Sequence, residues 1–113
     1  MLITTAQIDN VFIIQLPVGA LDAATAREFR QEADQLLGEH QKVVLDFTKV
    51  TFVDSAGLGV VLAFLRRVTQ AGGDLKVCGL NKGVKALFQL VRMHRIVEIF
   101  ETVEEATKAF ASA

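Results

Sequence analysis

Between Val43 and Val68 the hydrophobic pattern changes period once, and that change limits what the chain can fold into. Val43-Val44-Leu45-Asp46-Phe47 is an almost uninterrupted apolar run, typical of a strand covered on both faces or central in a sheet. Val50 to Val53 carries the chain back to the sheet edge. From Leu58 onward, Val61, Leu62, Leu65 and Val68 recur at helical spacing. A strand therefore hands over to a long helix within Val53-Asp54-Ser55-Ala56-Gly57-Leu58-Gly59-Val60. Ser55 falls at or just before the first turn.

The flanking segments repeat the alternation. Leu2 to Gln7 and Val11 to Leu16 read as a hairpin turned at Asp9-Asn10, and Pro17 ends the second strand or confines it to an edge. Asp22 is a candidate N-cap for a helix that buries Ala26, Phe29, Ala33, Leu36 and Leu37 and ends at Gly38. After the central helix, Gly72-Gly73-Asp74 turns the chain into a strand with Leu75, Val77 and Cys78. Asn81 then caps a helix with Val84, Leu87, Phe88 and Val91 inward. A last strand spans Ile96 to Phe100, and Thr102-x-x-Glu105 is a capping box for a helix burying Val103, Ala106 and Phe110. Strand and helix alternate after the hairpin, so the later strands should pair in parallel. The expectation is an α/β fold: a mixed β-sheet of about five strands with four helices packed on it, one domain over 1–113.

Ser55 has two readings from the residues alone. Serine is a good N-cap, worth about 1 kcal/mol through a bond from an orphan backbone N–H. Alternatively its hydroxyl is modified by another protein. Gly57 and Gly59 bear on the choice, because each costs about 1 kcal/mol inside a helix and needs a reason. Small residues there would let a foreign backbone approach the hydroxyl.

Asp54-Ser55-x-Gly57-Leu58-Gly59, with Gly19-x-Leu21-Asp22, Val44-Leu45-Asp46-Phe47, Gly73-x-Leu75-x-Val77 and Val84-x-x-Leu87-Phe88, resembles the anti-sigma-factor antagonists of the STAS family nearly end to end. The resemblance implies a regulator that frees a sigma factor by binding an anti-sigma factor with serine-kinase activity. It implies phosphorylation at Ser55 as the off switch, and a serine phosphatase that resets it. Position 56 is Ala where many relatives carry a second hydroxyl. The surface for the partner is expected to include Asp22, Asp54, Gly57, Leu58, Gly59, Val60 and Phe64. Val60 is placed roughly outward and Phe64 on the flank of the helix. Capping the helix is an equal reading of Asp22, and one residue can do both. A phosphate at the helix start would be favoured within the domain by roughly 0.3–1 kcal/mol, up to about 2, against modest repulsion from Asp54.

Other chemistries find less support. His40 and His94 lie far apart in the chain, and the single cysteine, Cys78, makes no familiar metal spacing with them. Gly57-Leu58-Gly59 lacks the third glycine of a dinucleotide fingerprint, and Gly79 to Gly83 does not fit a P-loop. No metal or cofactor is expected, and no enzyme activity. A small hydrolase using Ser55 is the alternative from another class; a STAS subunit of a lipid-transport complex or signalling scaffold is the other. With net charge -1 there is no general attraction to nucleic acid or an anionic membrane, and the basic group Lys82, Lys85, Arg92, His94 and Arg95 reads as a solvated face. The N-terminus lacks the pattern of a secretory signal and a single cysteine can form no internal disulfide, so a cytoplasmic protein is expected.

Overall fold

Asp9 and Asn10 reverse the chain between β1 (Thr4–Ile8) and β2 (Val11–Gln15), which pair antiparallel with Ile8 opposite Val11. Asp9 is left-handed there (φ 55°), a conformation that Asp tolerates better than most residues. The structure, a computed structural model, describes residues 3–17, 19–38 and 40–111. Leu2, the expected start of the first strand, lies outside them.

The main sheet has five strands in the order β1-β2-β4-β6-β7, with β4 (Lys42–Asp46) in the middle. β6 (Asp74–Cys78) and β7 (Glu98–Phe100) continue it in parallel, so only β1 runs against the rest. Alternation along each strand feeds two cores. Phe12, Ile14, Val43, Leu45, Leu75 and Val77 face the larger one, beneath α1 (Ala26–Leu37), α2 (Ser55–Gln70) and α3 (Lys82–Leu90). Val11, Ile13, Val44 and Cys78 face the smaller, which α4 (Val103–Ala111) closes with Ala106 and Phe110. This double cover explains why β4 reads as an unbroken apolar run.

The expected caps form in three places. Gly38 ends α1 with φ 52°, Asn81 accepts from the Val84 N–H at 2.8 Å, and Thr102 accepts from the Glu105 N–H at 3.1 Å. Glu105 reaches back to the N–H of Glu101 rather than that of Thr102.

Five expectations need correction. β5 (Val50–Val53) does not join the edge of the main sheet. It pairs in parallel with β3 (Gly19–Leu21), a three-residue strand that sequence periodicity is too short to reveal. Pro17 marks where the two part: the Leu16 N–H still donates to Asp46, the proline has none to give, and by Gly19 the chain donates to Lys49 instead. α1 begins at Ala26, one turn later than a cap at Asp22 would set it. Leu36 and Val91, expected inward, are exposed, and the last strand begins only at Glu98 because a 3-10 turn at Met93–Arg95 uses the preceding residues.

The fifth concerns the central helix. Val60 is 5% exposed and Phe64 1%, so neither points away from the domain. α2 is covered from two sides: Val61 and Val68 pack into the sheet core, while Phe64 meets Phe29 of α1 edge-on, with ring centroids 5.4 Å apart. The face that periodicity leaves unassigned is the one α1 covers. Truncating it removes core rather than interface. Phe64→Ala should cost about 3–5 kcal/mol, read as a lower urea midpoint.

Candidate functional site

α2 starts where it does because Asp54 leaves helical geometry and turns its carboxylate onto the first turn. Its Oδ1 accepts from the N–H groups of Ala56 at 2.9 Å and Gly57 at 3.1 Å, and its carbonyl accepts from Leu58. The other oxygen, Oδ2, accepts from the Ala23 N–H at 3.1 Å, and the Asp54 N–H donates to the Leu21 carbonyl. One side chain thus caps α2 and ties the β3–α1 loop to it.

Ser55 is the first helical residue rather than the cap. Its side chain is exposed and takes no part in closing the helix end, which Asp54 does alone. The capping explanation for a serine here is removed, and the hydroxyl is open to an approaching molecule.

The two glycines divide. Gly57 is buried, and a β-carbon there would collide with the Leu21 carbonyl and lie 2.9 Å from Val53 Cγ1. Its purpose is the close approach of α2 to the end of β3. Gly59 is exposed, with nothing within 4 Å of a β-carbon. Only Gly59 keeps space open beside Ser55.

Asp22 is half-buried and builds the turn before α1: its Oδ1 accepts from the Ala24 and Thr25 N–H groups, and Thr25 Oγ1 donates to the Ala20 carbonyl at 2.8 Å. This leaves Ala23 and Ala24 exposed beside Asp54. Of the seven partner-surface candidates, the structure brings Asp22, Asp54 and Gly59 to the surface around Ser55, leaves Leu58 partly covered, and buries Gly57, Val60 and Phe64.

Sequence reasoning missed Phe52, 54% exposed and three residues before Ser55. In the β3–β5 pairing Gly19 opposes Val50 but Ala20 opposes Phe52, so Thr51 is an extra residue that bulges β5. The bulge lets Val50 and Val53 both face inward and turns Phe52 out. Strict alternation would put Val50 and Phe52 on one face, so no pattern in the sequence signals it.

Between α1 and α2, next to this surface, lies a groove of about 540 Å³ whose walls include Arg27, Arg30, Ala56 and Gly59. Elsewhere, buried Asp46 is satisfied by Thr48 and by Gln15. Burial, followed by the nearby Asp46 charge, pushes the Cys78 thiol up to about 12, so at neutral pH it behaves as a small buried hydrophobe. His40 stacks on Phe12. Among the described residues no group of histidine, cysteine and carboxylates could hold a metal, and no helix is long and apolar enough to cross a membrane.

A domain in which an aspartate caps the central helix and the next residue is a displayed serine matches the family model described as STAS domain over residues 3–106. The chain belongs to the STAS domain family. It is 32% identical over 94 residues to the anti-sigma F factor antagonist of Paenibacillus polymyxa, covering 81% of this chain and 80% of that one. It is also 32% identical to BtrV of Bordetella bronchiseptica, over 100% of this chain and 97% of its relative. Among solved structures, the Thermotoga maritima protein TM1081 superposes with a TM-score of 0.87 at 27% identity, covering 95% of this chain and 92% of that one.

The glycine pair tests the geometry. Gly57→Ala should destabilise by about 1–3 kcal/mol. Gly59→Ala, in an open helical position, should be neutral or stabilise by up to about 1 kcal/mol. Urea unfolding of the two variants measures both.

Proposed function

We propose that this protein is an anti-sigma-factor antagonist whose unphosphorylated form binds an anti-sigma factor with serine-kinase activity, and that phosphorylation of Ser55 ends the binding. The observation that carries the reading is the division between Asp54 and Ser55: the aspartate does all the capping, and the serine is displayed without a structural task. The relationship to the Paenibacillus polymyxa antagonist supplies the class of partner.

In the transfer step the γ-phosphoryl group of ATP moves to Ser55 Oγ, the hydroxyl proton passes to a base on the partner, and ADP leaves. A serine phosphatase then transfers the phosphoryl group from Ser55 Oγ to water, returning the hydroxyl and releasing inorganic phosphate. This domain contributes the acceptor and its placement; the catalytic groups belong to the partners.

Charge makes the switch. Phosphate adds about -1.5 to -2 charges at neutral pH. An interface that covers a neutral hydroxyl must desolvate that dianion without a prepared counter-charge, at a cost on the order of several kcal/mol. Since about 1.4 kcal/mol is tenfold in affinity, binding falls a hundredfold or more. The fold need not change, because Ser55 contributes nothing to the cap. Phe52 is the natural apolar anchor of the same face, since aromatic side chains are enriched at interface cores.

Co-purification from the native cells identifies the partner, and calorimetric titration against it tests the reading. Ser55→Ala should bind as tightly as the unmodified protein and resist release by ATP, while Ser55→Asp should bind at least tenfold more weakly. Phe52→Ala should lose tenfold or more in affinity with its thermal midpoint held within a few degrees. A Ser55→Asp variant that binds like the wild type would sink the proposal.

A further inference from the structure

The residues around Ser55 offer a phosphate very unequal company. The helix start, which usually receives an anion, is already occupied: Asp54 Oδ1 accepts from Ala56 and Gly57, and the Asp54 carbonyl accepts from Leu58. A phosphate on Ser55 would find there a carboxylate rather than free N–H groups, so the favourable helix-end term expected from sequence is offset. Asp22, in the neighbouring turn, adds a second negative charge.

On the other side lie cations. Arg27 and Arg30 are three residues apart on α1, on neighbouring positions of one helix face, and both line the groove that Ala56 and Gly59 border from α2. The third arginine of this region, Arg67, is consumed by Asp34, with Nη1 to Oδ1 at 2.7 Å. That pair also neutralises the one acidic residue lining the groove. Neither Arg27 nor Arg30 has a hydrogen bond or ion pair among the described residues, and both are exposed. From α2, Gly59, one turn beyond Ser55, adds no side chain to the groove, and a β-carbon there would meet nothing within 4 Å.

We infer that Arg27 and Arg30 form an internal receiver for the phosphate on Ser55, reaching it across the open groove between α1 and α2. The inference rests on Ser55 being the phosphoacceptor, as proposed above. Guanidinium groups suit the task, because their planar forks donate two parallel bonds to phosphate oxygens. Phosphorylation then acts twice on the docking face. It adds the dianion, and it draws two cations that faced solvent into the groove. Gly59 acquires a purpose, as the gap through which the arginines reach.

The test installs phosphoserine at position 55 during translation, which makes the outcome independent of any kinase. The second ionisation of the phosphate, about 6 for an unperturbed phosphoserine, is followed by ³¹P NMR titration in the wild type, Arg27→Gln, Arg30→Gln and the double variant. Cations favour the dianion, so the wild-type value should lie roughly 0.5 to 1 below that of the double variant. Each single variant should fall between, and Arg27→Lys should keep part of the effect. Thermal midpoints of the unphosphorylated variants report that the fold is intact. Equal titration curves in the wild type and the double variant would overturn the receiver and leave the phosphoacceptor reading standing. Phosphate found elsewhere after kinase treatment would remove the role of Ser55 without altering the titration.

Discussion

The carboxylate of Asp54 holds together the parts of this protein that matter for its use. One oxygen closes the first turn of α2 through Ala56 and Gly57, and the other takes the Ala23 N–H from the loop entering α1. Two segments distant in sequence are thereby fixed to one point on the surface. Hydrogen bonds to a charged group stabilise by roughly 1.5–3 kcal/mol each, so three backbone N–H groups converging on one carboxylate leave the junction few alternatives. The adjacent Ser55 inherits a fixed position while spending none of its own hydrogen bonding to obtain it.

The remainder of the site follows from how tightly that junction is packed. Gly57 lets α2 approach the Leu21 carbonyl, and the bulge at Thr51 turns Val50 and Val53 into the core at the cost of expelling Phe52. Phe64 and Phe29 lock α1 against α2. The groove between those helices remains open because Gly59 and Ala56 have too little bulk to fill it. A rigid base and a displayed hydroxyl suit a modification that changes charge rather than shape.

Much of this was legible in the sequence. The five main strands, the four helices and the caps at Gly38, Asn81 and Thr102 follow from periodicity and terminal residues, which act over a few positions. The STAS resemblance adds the expectation for Ser55. What stayed hidden depended on contacts across the chain. β3 exists because β5 is there to pair with it, and Phe52 is exposed by an irregularity in that pairing. Periodicity puts Val60 roughly outward and Phe64 on the flank because the helical stripe facing the sheet is already complete; a second helix, α1, covers their side. Asp54 and Ser55 exchange roles relative to the capping alternative for a similar reason. Either could cap by type, and the aspartate takes the cap because its second oxygen also reaches Ala23.

In the proposed switch, the oxygen at position 55 is the one the partner modifies. Tandem mass spectrometry of the protein after incubation with its co-purified kinase and ATP addresses this directly. It should find a single phosphate on the peptide containing Ser55, absent from Ser55→Ala. Phosphate at any other residue, or undiminished incorporation into Ser55→Ala, would contradict it.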